Sequence, residues 1–300
     1  MVKLLLSQVD AQCGAVLARL FSSSVIKELA LKGYSNTAAG ILGENNFIQT
    51  IDPKMMLRDF FEALFSLLFR CYRNEYIYKN ILTNKILLGR HSLNSSFMLM
   101  EFRAAECKAD AVILNGTSNV YEIKSKFDNL NRLKRQIASY HHLFDHVHVI
   151  TSVEQIEKVR QEVDERVGLM VLNDRQTISV VRNSQSMKQQ VKPEAIFDSL
   201  RKQEYLQIIK KYFGCTPDVP NTRIYQDCKD LFCKLPPEDA HDAMVWALQK
   251  RGNCHAMREF IAHVPSSLKA ASLSCKLSHK EQVAFLNVLN TSIENCCLFV

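Results

Sequence analysis

Three charged residues stand in two stretches that otherwise read as core strands: Asp110, Glu122 and Lys124 in "KADAVILNGTSNVYEIKSK", residues 108–126. Residues two apart on a strand share a face, so Glu122 and Lys124 emerge together while Tyr121 and Ile123 turn the other way. The turn "NGTSN" (115–119) predicts a hairpin that brings Asp110 beside Glu122. Two carboxylates side by side repel and raise each other's pKa, a cost that a hard divalent cation removes. Magnesium takes oxygen ligands, often one or two carboxylates with waters and substrate phosphate. A neighbouring lysine supplies positive charge for an attacking water or a phosphate oxygen. These residue types fit phosphodiester hydrolysis. Taken alone, Glu-x-Lys on a strand is common and reads first as a solvent-facing edge hairpin, on which the pair contributes little.

The next segment, "DNLNRLKRQIASYHHLFD" (128–145), has helical spacing, with Leu133, Ile137, Tyr140 and Phe144 on one side. Gln136 and Tyr140 are four apart and so stack on one face, with Arg132 a turn back on the same line. An amide and a phenol there could be ordinary helix surface, or could face the end of the charged strand and hold phosphate or base. Lys124, Lys126, Arg132, Lys134 and Arg135 crowd the same region, as a phosphate-binding patch would. His141, His142, His146 and His148 are close in sequence, but adjacent helical residues diverge by about 100° and do not converge on a metal.

The elements that must position these groups follow from periodicity and punctuation. Apolar residues at helical spacing predict a helix over 55–70, with Asp52 as N-cap and Pro53 at its start. Strands are predicted at 97–102, 110–115, 119–126, 146–152, 168–173 and 177–183, with helices at about 128–144 and 153–165 between them. The order is that of a mixed α/β sheet between helices. Residues 1–54 read as a helical N-terminal segment, 55–190 as the α/β core and 191–300 as a helical C-terminal region.

Asp110, then "EIK" (122–124) after a hairpin turn, then "QIASY" (136–140), resembles the PD-(D/E)XK nuclease superfamily. The Gln-x-x-x-Tyr element is similar to its RecB-like branch, and the whole stretch to stand-alone bacterial members with no assigned substrate. The resemblance implies an αβββαβ restriction-endonuclease-like core with helical extensions at both ends. It implies Mg2+ or Mn2+ held by Asp110, Glu122 and the main-chain carbonyl of Ile123, with Glu62 of the preceding helix as a further ligand. Lys124 would position or activate water. Gln136 and Tyr140 would contact substrate, with Lys126, Arg132 and Arg135 around them. Ala109 stands where the family name has proline. The cysteine set of iron–sulfur members is absent, and no phosphate-binding glycine loop of a helicase occurs.

The 47% hydrophobic and 23% charged residues suit a chain with a sizeable core. A net charge of +7 permits a nucleic-acid partner. The longest apolar run, "FFEALFSLLF" (60–69), is too short to span a bilayer and contains Glu62. With no leader segment read at the start, the ten cysteines are expected as reduced thiols in a cytoplasmic protein. The expected activity is metal-dependent cleavage of DNA, in phage defence or mobile-element biology. The alternative is an inactive nucleic-acid-binding, regulatory or adaptor module on the same fold, with the C-terminal helices as the surface for a protein partner.

Overall fold

The structure, a computed structural model, describes residues 11–44, 47, 51–88, 96–251 and 255–298. The chain parts into two compact units: Met1–Asn84 with Cys254–Val300, and Lys85–Asn253. The three segments drawn from the sequence, at 1–54, 55–190 and 191–300, do not coincide with these units.

The first unit is helical. It contains α1 (Ala11–Ala18), α2 (Ser23–Lys32), α3 (Asn36–Gly43), α4 (Leu57–Cys71) and α5 (Glu75–Leu82) from the front of the chain. Its remaining part comes from residues 254–300. Helix α4 buries Leu57, Phe60, Phe61, Leu64, Phe65 and Leu68, the stripe that its spacing predicts. Asp52 and Pro53 do not start that helix. Asp52 instead closes a turn, accepting from Lys54 N through its carboxylate and from Met55 N through its carbonyl, each at 3.0 Å. The chain then runs against the returning C-terminal segment, with Ile293 N donating to Met55 O and Leu57 N to Thr291 O, both at 2.9 Å. The helix expected at the head of the core therefore belongs to the other unit.

The second unit is built on one six-stranded sheet in sequence order. Its strands are β1 (Phe97–Ala104), β2 (Cys107–Leu114), β3 (Ser118–Lys124), β4 (His146–Ser152), β5 (Gly168–Leu172) and β6 (Ile178–Arg182). Strands β1, β2 and β3 pair antiparallel, β3, β4 and β5 parallel, and β5 with β6 antiparallel. Helix α6 (Leu133–His141) makes the β3–β4 crossover and α7 (Ile156–Glu162) the β4–β5 crossover. A parallel neighbour cannot be reached by a tight turn, so each crossover needs such a connection. Helices α8 (Pro193–Ser199), α9 (Lys202–Phe213), α10 (Asn221–Phe232) and α11 (Pro237–Gln249) come next along the chain. Part of the C-terminal helical region is thus a cover on the sheet. Val112, Leu114, Val120, Val147 and Leu169 form one core with Leu133, Ile137, Tyr140, Phe197, Ile208, Phe232 and Met244.

The sheet departs from regular pairing and packing at two places. The β1–β2 ladder pairs Met100 with Ala111 and Phe102 with Ala109, and skips the rung of Glu101 and Asp110 between them. Glu101 there has φ 55°, the left-handed region that a side-chain-bearing residue rarely adopts. On both strands the alternation slips at this point: Phe102 and Ala104 join the core on β1, and Ala109 and Val112 on β2. The other close approach is at the start of β5. A Cβ on Gly168 would lie 2.5 Å from His148 Nδ1, so only glycine fits beneath that ring. His148 stacks on Tyr121 with centroids 4.8 Å apart.

Burial, and then the neighbouring His146, push the His148 pKa down to about 3. The unfolded chain therefore takes up a proton below about pH 6.5 that the folded chain refuses until pH nears 3. Stability from this group is full above pH 6.5 and declines as pH falls. Urea denaturation followed by Trp246, the single tryptophan and a residue of α11, is expected to lose stability between pH 6.5 and 5. His148→Gln should flatten that loss by about 1.4 kcal/mol per pH unit; parallel pH profiles would mean that His148 does not carry the loss. At Glu101, a β-branched Val should cost roughly 1–2 kcal/mol and Gly should be neutral or slightly stabilising, by the same denaturation. A Val variant as stable as the parent would mean that the backbone there is not strained.

Candidate active site

The β2–β3 ladder runs from Leu114 and Ser118 to Ala111 and Tyr121, and pairs no further. One rung on, main-chain pairing is replaced by a side chain: Asp110 Oδ2 accepts from Ile123 N at 2.8 Å. The two strands fork here, with a carboxylate in the place of a partner carbonyl. A residue's N–H and C=O point to the same neighbouring strand, so the Ile123 carbonyl faces the same fork. Strand β3 stays paired to β4 through Lys124 and Thr151. Thr151 Oγ1 donates to Lys124 O at 2.7 Å and fixes the strand end.

Glu122 is 2% exposed and Lys124 is 6% exposed, so this is not a solvated edge pair. Lys124 Nζ lies 2.9 Å from Glu122 Oε1 and donates to Gln136 Oε1, also at 2.9 Å. Gln136 Nε2 donates to Glu122 Oε1 at 2.6 Å. Tyr140 OH donates to Glu122 Oε2 at 2.6 Å and lies 3.2 Å from Lys108 O. The orientation of the Gln136 amide follows from its neighbours, because an ammonium only donates and a carboxylate only accepts. Burial, and then the charge of Glu122, hold the Tyr140 phenol far above its ordinary value of 10.0, so it remains a neutral donor.

The fold thus brings together Asp110, Glu122, Ile123, Lys124, Gln136 and Tyr140. Lys126 and Arg132 are exposed beside the end of β3 and the start of α6. Arg135 is exposed and paired with Glu106. Glu62 is a residue of the helical unit. Its carboxylate accepts from Ser267 N at 2.9 Å and from Ser266 Oγ at 3.0 Å, capping the turn before α13 (Lys269–Ser274). It is not among the groups that the sheet unit assembles. Among the described residues, no three His, Cys, Asp or Glu side chains converge as a metal cage. A cation at the fork would rest on two carboxylates, a carbonyl and water, all oxygen donors, which suits Mg2+ or Mn2+. Glu122 carries three protein bonds against about four lone-pair directions, so one direction remains. The Lys124 ammonium has a third hydrogen to offer beyond the two bonds above.

The family described as Bacteriophage P4 protein cII matches residues 70–273. The chain belongs to the bacteriophage P4 protein cII family. No curated protein and no solved structure matches it. The P4 cII match takes in the whole sheet unit, with the fork, Gln136 and Tyr140 inside it. Among the described residues, no helix of this P4 cII-family chain is long and apolar enough to cross a membrane.

A second relay in the sheet unit imitates a hydrolase triad. Ser118 Oγ is 2.7 Å from His241 Nε2, and His241 Nδ1 is 3.2 Å from Asp242 Oδ1. Ser118 and His241 are both fully buried. Ser118 Oγ also accepts from Asp145 N at 3.0 Å. No substrate reaches this serine, and the relay ties α11 to the start of β3. Trp246 is half-buried and packs against the core of the sheet unit, with Lys250 and Lys211 over its ring at 3.5 and 4.3 Å.

Sequence reasoning missed four contributors. Glu101 gave no signal, because nothing in its identity announces a left-handed backbone. Lys108 enters through its carbonyl, which no side-chain pattern reveals. Ser125 and Asp128 did carry a signal, the Ser-x-x-Asp spacing of a side-chain-closed turn. Asp128 Oδ2 accepts from Ser125 N at 2.8 Å and from Ser125 Oγ at 2.7 Å. That turn delays the helix, which begins at Leu133 rather than near 128.

The buried pair makes a stability prediction that is independent of function. Lys124→Met leaves the Glu122 charge uncompensated and should cost about 3–5 kcal/mol. Adding Glu122→Leu should restore much of that loss, since the double variant buries no charge. Urea titration of both variants checks this; a double variant less stable than the single one would mean that the pair is a net stabiliser.

Proposed function

We propose that the sheet unit is a PD-(D/E)XK-type nuclease that hydrolyses DNA phosphodiester bonds with Mg2+ or Mn2+. The observation that carries this reading is the fork itself. Asp110 replaces a main-chain partner of Ile123 one rung from a buried Glu122–Lys124 pair, and that pair is clasped by Gln136 and Tyr140. Asp110, Glu122 and the Ile123 carbonyl would hold the cation, which supplies charge neutralisation at phosphorus and acidifies a bound water. Hydrolysis then adds water across one P–O bond. The water oxygen bonds to phosphorus and gives up one proton to solvent, one sugar oxygen departs with the bonding pair, and that oxygen is protonated from solvent. Lys124, held by Glu122 and Gln136, aims its remaining hydrogen at the attacking water or a phosphate oxygen. Gln136 and Tyr140 keep the Glu122 carboxylate in one orientation. Lys126, Arg132 and Arg135 would draw the backbone of the nucleic acid to the site. The bacteriophage protein that describes the family is in keeping with a role in phage defence or mobile-element biology.

One observation favours a second reading. Three protein donors already occupy the Glu122 carboxylate, and a carboxylate so satisfied has no need of a cation. On that reading the unit is a catalytically inactive nucleic-acid-binding or regulatory module.

The deciding experiment incubates the full chain with linear, circular and single-stranded DNA in Mg2+, Mn2+ or EDTA. Cleavage is expected with metal only, reduced at least about 100-fold in Asp110→Ala and Lys124→Ala. The melting profile of each variant controls for folding. Salt-sensitive binding with no cleavage in any metal would favour the inactive module. Cleavage that persists in both variants would refute the site.

A further inference from the structure

The loop that leaves β3 presents an aromatic ring to solvent. Phe127 is 45% exposed, and Val153, the first residue after β4, is 59% exposed. Strands β3 and β4 are parallel, with Lys124 opposite Thr151 at their carboxyl ends, so the two loops leave the sheet side by side. Gln155 Nε2 donates to Asp128 O at 3.4 Å and joins them. Phe127 is three residues beyond Lys124, on the same rim as the fork.

The exposure is built in. Asp128 closes the loop through both the Ser125 amide and its hydroxyl, and Phe127 N donates to Ser125 Oγ at 3.3 Å. Asp128 N returns to Ser125 O at 3.1 Å. A four-residue turn tied at so many points holds Phe127 at the rim. Exposing an aromatic ring forfeits the favourable transfer from water that its burial would bring. Lys126 lies over the ring, with Nζ 5.1 Å from its centroid, and Arg132 stands exposed at the start of α6. A flat apolar ring under one exposed cation, with a second exposed cation at the start of the next helix, has the composition of a base-stacking platform with backbone contacts. A base in a duplex has its faces covered by its neighbours, so a platform of this kind engages an unpaired base.

We infer that Phe127 stacks on an unpaired nucleobase next to the scissile phosphate, with Lys126 and Arg132 on the flanking phosphates, which makes single-stranded DNA the preferred substrate. This deepens the nuclease reading and rests on it.

The test is equilibrium binding of the full chain, in Ca2+ to hold off cleavage, to a fluorescent single-stranded oligonucleotide and to its duplex. A second oligonucleotide carries 2-aminopurine, whose emission is quenched when it stacks. The wild type should prefer the single strand and quench 2-aminopurine. Phe127→Ala should weaken single-strand binding by about 10-fold, leave duplex binding unchanged and abolish the quench. Phe127→Tyr should keep all three properties, and unchanged melting in both variants shows that the loop is not needed for folding. The inference is overturned if Phe127→Ala binds the single strand as tightly as the wild type, or if it loses single-strand and duplex binding alike. If Phe127→Ala behaves as the wild type while metal-dependent cleavage is present, the nuclease reading stands and only this inference falls. If the wild type binds no nucleic acid at all, both fall together.

Discussion

A carboxylate almost wholly removed from water is the most demanding group in the sheet unit. Leaving Glu122 unpaired at 2% exposure would cost several kcal/mol, more than most single packing contacts return. Much of the local architecture answers that demand. Lys124 stands two residues later on the same face of β3, and α6 lies so that Gln136 and Tyr140 reach the two carboxylate oxygens. The helix cannot slide by a turn without breaking both of these bonds. The apolar stripe of α6, through Leu133 and Ile137, holds it in that register against the sheet.

The fork depends on a second constraint, at the rung of Glu101 and Asp110. A regular ladder would have spent the Ile123 amide and carbonyl on β2. The slip in alternation, taken up by the left-handed Glu101, lets β2 part from β3 while Asp110 still satisfies the Ile123 N–H. The Ile123 amide is not abandoned, and the strand end gains a carboxylate. Backbone strain of this kind is kept where surrounding structure over-determines it, and the β1–β2 pairing on both sides of the rung does so.

The helical unit illustrates how chain order and spatial order part company. Residues 254–300 leave the run of C-terminal helices and return to the front of the chain. Glu62, Tyr76 and Asn80 meet Ser266 and Ser267 there, with Tyr76 OH donating to Ser267 O at 2.5 Å and Asn80 Nδ2 to Ser266 O at 2.8 Å. The family resemblance implies Glu62 as a further metal ligand. In the helical unit its carboxylate caps a turn 205 residues further along the chain.

Local physics was legible in the sequence. Alternation and turn residues are near-neighbour properties, so the order of strands and crossovers, the hairpin at Gly116 and the shared face of Glu122 and Lys124 could be read directly. The four-residue spacing of Gln136 and Tyr140 likewise placed both on one face of α6. What the sequence could not decide is whatever depends on long-range pairing. That the Glu122–Lys124 pair is buried rather than solvated comes from the covering helices, not from its own strand. The division of the C-terminal helices between two units depends on which apolar faces find one another across the chain. The left-handed Glu101 and the fork at Asp110 arise only when two strands compete for the same amide, a contest that no single segment contains.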